Sequence, residues 1–158
     1  MCECLLIADD DPGVAELIRR YLLEHEESRT AHVTICRSME EVWTFLRAGG
    51  KADLMFLDLV LPLDDPPLGA EDTIALIPKL LPFVPRVVVI SGYMKYKEPA
   101  LAAGATDFLS KLGDLDTPMS FFEKVAKYFR EVSGPSKAEQ CLVKLHDILH
   151  PDGPQKSQ

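Results

Sequence analysis

The stretch Asp53-Leu54-Met55-Phe56-Leu57-Asp58-Leu59-Val60-Leu61-Pro62 constrains the fold more than any other part of the chain. Residues 54–57 form an unbroken apolar run. That pattern belongs to a strand buried on both faces of a parallel sheet, not to a half-exposed strand, which would alternate. The run ends in the carboxylate of Asp58, and burying such a group unpaired is costly. Ligands of open α/β sheets gather at the carboxyl ends of strands. Asp58 is therefore expected at the mouth of a site.

A second run, Cys4-Leu5-Leu6-Ile7-Ala8, ends in Asp9-Asp10-Asp11-Pro12. Asp11 suits the N-cap of a helix whose first position is Pro12, and Val14, Leu17, Ile18, Tyr21 and Leu22 follow at helical spacing. Asp9 and Asp10 are left at the strand end with no structural task. Residues 31–36 read as another strand. Ser38-Met39-Glu40-Glu41 is a capping box opening a helix with Val42, Phe45 and Leu46 inward, closed by Gly49-Gly50. After the Asp58 strand, residues 63–69 are turn formers. A third helix carries Ile74, Ile77, Leu80 and Leu81, with Pro78 expected to kink or shorten it.

Residues 86–92 give a β-branched strand ending in Ser91-Gly92. A short helix over 99–103 ends at Gly104, and residues 106–111 give a fifth strand ending in Lys111. Thr117-Pro118 opens a fifth helix with Met119, Phe122, Val125, Ala126, Phe129 and Val132 on one side. This alternation predicts an α/β fold of the (βα)₅ kind, a doubly wound parallel five-stranded sheet, plus an extra C-terminal helix. Gly134-Pro135 divides a domain over 1–133 from an amphipathic helical tail and disordered end over 134–158. Ala138, Cys141, Leu142, Leu145, Ile148 and Leu149 form a stripe on the tail that needs cover. Its own domain or a second copy of the chain, meeting through this helix or the fifth, could supply it.

With 158 residues, 47% of them hydrophobic, the chain can bury one core. A formal charge of −8 argues against direct nucleic-acid binding, which needs a basic patch. No apolar stretch reaches the roughly 18 residues of a membrane span. The Met-Cys-Glu-Cys start lacks a signal peptide's basic region, so the cytoplasm is the expected compartment. Cys2, Cys4, Cys36 and Cys141 lack zinc-type spacing and read as structural thiols. His146-Asp147-Ile148-Leu149-His150 has Asp where a zinc-protease helix needs Glu, and reads as solvated helix-end histidines.

Four of the five strands thus bring polar groups to one edge: Asp9 and Asp10, Asp58, Ser91 and Lys111. Three converging carboxylates repel one another unless a cation sits among them. Oxygen ligands of this kind suit Mg²⁺, and a lysine and a hydroxyl suit a phosphoryl group beside it. A carboxylate can itself attack phosphorus to give an aspartyl phosphate.

Taken in this order, four pieces of the sequence resemble the receiver domain of two-component response regulators, the CheY-like superfamily. They are Leu6-Ile7-Ala8-Asp9-Asp10-Asp11-Pro12, Phe56-Leu57-Asp58-Leu59-Val60-Leu61-Pro62, Val88-Val89-Ile90-Ser91-Gly92 and Gly104-Ala105-Thr106-Asp107-Phe108-Leu109-Ser110-Lys111. The resemblance covers residues 4 to about 132. It implies that Asp58 is the phosphoacceptor, fed by a sensor histidine kinase or a histidine phosphotransfer protein. It further implies that Asp9, Asp10, Asp58 and the main-chain carbonyl of Val60 hold Mg²⁺. Ser91 would meet the phosphoryl oxygens, Lys111 would pair with them, and Phe108 would be the switch aromatic.

The resemblance also implies a phosphoacceptor signalling protein, not an enzyme. With no output segment read after residue 133, the chain is expected to act as a stand-alone receiver, signalling to an unknown downstream protein by contact. Three features depart from the family pattern: Leu112-Gly113 where a proline usually follows the lysine, a longer connection between Pro62 and Gly69, and the tail helix. Two alternatives are a receiver-like interaction module that is never phosphorylated and an aspartyl-phosphate phosphohydrolase. The second wants an acid two residues after the nucleophile, where Val60 stands.

Overall fold

The computed structural model describes residues 4–24 and 32–111. Five strands alternate with helices: β1 (Cys4–Ala8), α1 (Pro12–Glu24), β2 (His32–Cys36), α2 (Met39–Arg47), β3 (Leu54–Asp58), α3 (Ala70–Leu80), β4 (Val87–Ser91), α4 (Lys97–Ala102) and β5 (Asp107–Ser110). The sheet order is β2-β1-β3-β4-β5, and every strand pair is parallel. The predicted doubly wound α/β sheet is therefore present. The side chains of Leu17, Tyr21 and Leu22, residue Ala31, the helix predicted from Thr117 and the tail over 134–158 lie outside the described residues.

Strand periodicity divides the core between the two faces of the sheet. Leu6, Ala8, Met55, Leu57, Val87, Val89 and Phe108 point to one face, where Met39, Val42 and Leu46 of α2, Ile77 and Leu80 of α3 and Ala100 of α4 cover them. Leu5, Ile7, Leu54, Phe56, Val88, Ile90 and Leu109 point to the other, against Ala15 and Ile18 of α1. Burial on both faces accounts for the unbroken apolar runs of β1, β3 and β4.

Local chemistry sets the helix ends. Asp11 Oδ1 accepts the Gly13 N–H at 2.8 Å, which is the cap expected before Pro12. Ser38 Oγ accepts the Glu41 N–H at 3.1 Å. The return half of that box lands one residue early, on the Arg37 N–H, which donates to Glu41 Oε2 at 2.6 Å. Helix α3 continues through Pro78 and ends at Leu80, so the proline lies in the last turn, where few bonds remain to be lost. The buried stripe of α3 is Ala70, Thr73, Ile77 and Leu80, with Ile74 and Leu81 only half-buried. Gly104 ends α4 with φ +109, and a Cβ there would lie 2.7 Å from Leu81 Cδ1. Only glycine meets both conditions.

Candidate functional site

The strand order reverses direction between β1 and β3, which is where a doubly wound sheet opens a crevice at its carboxyl edge. Ala8 pairs with Leu57 across these strands, so the next residues, Asp9 and Asp58, flank the crevice. Both are buried, at 1% and 7% exposure. One carboxylate oxygen each from Asp9, Asp10 and Asp58 lies within 4.8 Å of the others.

Lys111, one residue past β5, reaches across this edge. Its Nζ stands 3.0 Å from Asp9 Oδ2 and 3.0 Å from Asp58 Oδ2. Burial opposes the ammonium charge, but the Asp58 and Asp9 carboxylates outweigh it and hold the lysine above its ordinary 10.5. Desolvation, followed by the Asp58 charge, raises the Asp9 carboxyl from 3.8 to about 6, although the Asp11 N–H and Lys111 both favour its anion.

Asp9 also has a structural task that its place in the sequence did not suggest. Its Oδ1 accepts the Asp11 N–H at 2.9 Å, which fixes the turn into α1, and its own N–H donates to the Cys36 carbonyl at 3.0 Å. With three carboxylates ionised against one ammonium, the crevice carries −3 + 1 = −2. A divalent oxygen-seeking cation fits that donor set. Asp9, Asp10 and Asp58 are the side chains that could hold it.

Ser91, 3% exposed, ends β4. The register sets Asp58 beside Ile90 and Ser91 beside Ser110, so the hydroxyl stands one residue beyond Asp58 on the next strand. Its Oγ accepts the Tyr93 N–H at 3.1 Å. Phe108, paired with Val89, is 6% exposed within the core. The Val60 N–H donates to Asp58 Oδ1 at 3.3 Å, while the residue is 41% exposed. Burial, followed by the Glu41 charge, pushes the Cys36 thiol up to about 11, which suits a packed and unreactive sulfur.

The segment after Asp58 is held by two residues that sequence reasoning missed. The fully buried Thr73 hydroxyl donates to the Leu59 carbonyl at 2.7 Å. A polar residue on an otherwise apolar helix stripe was the available signal, because such a group needs a partner. Asp64 is buried and takes the Met39 N–H on Oδ2 at 2.7 Å and the Glu40 N–H on Oδ1 at 2.9 Å. Nothing local in the sequence marks that contact.

The fold is that of solved receiver proteins. The Mn²⁺-bound form of response regulator Rcp1 matches with a TM-score of 0.66 and 16% identity, over 85% of this chain and 97% of that one. The phosphorylated cyanobacterial phytochrome response regulator RcpA gives 0.64 and 18%, over 82% and 94%. A response regulator from Thermotoga maritima gives 0.61 and 24%, over 82% and 98%. In sequence, the chain is 24% identical over 147 residues to the DNA-binding transcriptional regulator NtrC of Proteus hauseri; the match takes in 90% of this chain but only 28% of that protein. Among the described residues, no helix is long and apolar enough to cross a membrane.

Receiver domains are signalling modules that bind Mg²⁺ in an acidic pocket and interact with histidine kinases or phosphotransfer proteins. Residues 5–120 match the response regulator receiver domain, and with the acid-lined switch point of its sheet this chain belongs to that family of two-component signalling domains.

Proposed function

We propose that Asp58 accepts a phosphoryl group from a phosphohistidine donor, a sensor histidine kinase or a histidine phosphotransfer protein, in a step that requires Mg²⁺. The observation that carries this reading is the shared ion pair: Lys111 Nζ is 3.0 Å from both Asp9 and Asp58 at a crevice with net charge −2. Two relatives that share the fold were solved phosphorylated and with Mn²⁺, which supports it.

A carboxylate oxygen of Asp58 bonds to phosphorus as the P–N bond to the donor imidazole breaks, and the electron pair leaves with the nitrogen. Lys111 is already paired with Asp58 and neutralises charge on the phosphoryl oxygens. The Ser91 hydroxyl accepts from Tyr93 and keeps its own hydrogen to donate to a phosphoryl oxygen. Asp9, Asp10, Asp58 and the Val60 carbonyl would hold Mg²⁺, which supplies countercharge to the same oxygens. Phe108 would report the change to the surface, where a phosphorylation-dependent contact with a downstream protein carries the signal. A cytoplasmic setting, with ATP-fed kinases and reduced thiols, suits this chemistry.

The test is Mg²⁺-dependent phosphate incorporation from acetyl phosphate, read by intact mass. Wild type should label with metal and not with EDTA, and Asp58→Asn should not label. Undiminished labelling of that variant would move the acceptor elsewhere. An unlabelled wild type would favour a receiver-like module that works without phosphorylation.

A further inference from the structure

We propose that Asp64 is a positioning residue for the metal site, setting Mg²⁺ affinity without touching the ion; this rests on the metal reading given above. The connection after β3 runs from Leu59 to Gly69. It is pinched by an antiparallel bridge in which the Leu61 and Leu68 N–H groups each donate to the other's carbonyl, at 3.0 and 3.1 Å. Asp64 lies inside that pinch and is buried, with both carboxylate oxygens on the first two amides of α2.

Those bonds close a circuit around the crevice. Asp9 N–H donates to the Cys36 carbonyl, and from Cys36 the backbone alone runs through Arg37 and Ser38 into α2. The α2 amides hold Asp64, whose own N–H donates to the Leu61 carbonyl at 3.4 Å. Leu61 follows Val60, whose N–H is on Asp58. The side of the site carried by β1 is thereby fixed against the side carried by β3 and its loop, along a path that leaves the sheet at the end of β2.

Leu59 and Leu61 have their carbonyls engaged, by Thr73 and by Leu68, and the carbonyl between them belongs to Val60. Mg²⁺ demands near-ideal octahedral geometry, so freeing the loop from α2 loosens one ligand relative to the others. Removing groups that orient metal ligands characteristically costs about 10-fold or more in affinity.

The control is Ser38→Ala, which removes the third cap of the same helix, on Glu41, and leaves the circuit intact. Mg²⁺ binding to the unphosphorylated full chain is measured by titration calorimetry, with thermal melting alongside. Asp64→Ala should weaken Mg²⁺ binding about 10-fold, whereas Ser38→Ala should lower the melting temperature and leave Mg²⁺ affinity unchanged. Asp64→Asn, which keeps one acceptor oxygen, should fall between wild type and Asp64→Ala, and decides the matter if the alanine variant does not fold. Phosphate labelling of the Asp64 variants should be slow at low Mg²⁺ and recover at saturating Mg²⁺. Equal Mg²⁺ affinity in wild type and the Asp64 variants overturns the positioning role alone. A wild type that binds no Mg²⁺ overturns the metal reading and this inference with it.

Discussion

Asp9 and Asp58, at the ends of neighbouring strands, hold the same ammonium: Lys111 Nζ lies 3.0 Å from a carboxylate oxygen of each. One cation shared by two buried anions leaves the crevice underneutralised. Burial first, and the Asp58 charge after it, hold the Asp9 carboxyl above its ordinary range.

A pH dependence follows. The folded-state value for Asp9, about 6, exceeds its ordinary 3.8, so folding favours the neutral acid. Its contribution is fully present below 3.8 and is lost as pH rises through about 6. The metal-free protein should lose up to about 3 kcal/mol across that window. Asp9→Asn keeps an oxygen for the Asp11 N–H and should flatten the profile, making the metal-free variant more stable than wild type at pH 8. Urea titrations in EDTA from pH 4 to 8 measure this, and an unflattened variant profile would assign the dependence to other groups.

Lys111→Met leaves two carboxylates facing each other without their counterion. Removing one partner from a fully buried pair costs about 3–5 kcal/mol, and Lys111 retains 19% side-chain exposure, so a cost of about 2 kcal/mol is expected at pH 8. The loss should shrink near pH 5, where Asp9 is largely protonated, and Mg²⁺ should restore part of it. Denaturation with and without metal gives the comparison; a cost equal at both pH values would show that lost packing, not charge, dominates.

Thr73→Val keeps the shape of the side chain and removes the hydrogen that the Leu59 carbonyl accepts. That buried carbonyl then lacks its partner, at a cost of about 1–2 kcal/mol. Chemical denaturation tests it, and a neutral substitution would mean that the Gly69 carbonyl, 3.0 Å from the hydroxyl, is its main partner.

Phe108→Ala empties a position on β5 within the core that also holds the buried Ala100 and Ala105. The expected loss is about 3–4 kcal/mol, while Phe108→Leu should retain most of the stability. If Phe108→Leu folds well and labels normally but no longer changes its near-ultraviolet spectrum on phosphorylation, the ring has a signalling role beyond packing.

The strands and the polar groups that end them are written in the order of residues along the chain. Apolar runs such as 5–8, 54–57 and 87–90 have one stable environment, a sheet covered on both faces, and a carboxylate or hydroxyl at the end of such a run must emerge at the sheet edge. Asp9, Asp58, Ser91 and the lysine after β5 are therefore legible as neighbours from the residue pattern. How those groups are held was settled only when the chain was folded into three dimensions. Lys111 meets Asp9 across 102 residues, and Asp64 caps a helix that begins 25 residues before it. Contacts at such separations depend on strand order and on the path of loops, and no local periodicity encodes them. Asp64 looked like a loop residue because its partners, two backbone amides, carry no mark in the sequence.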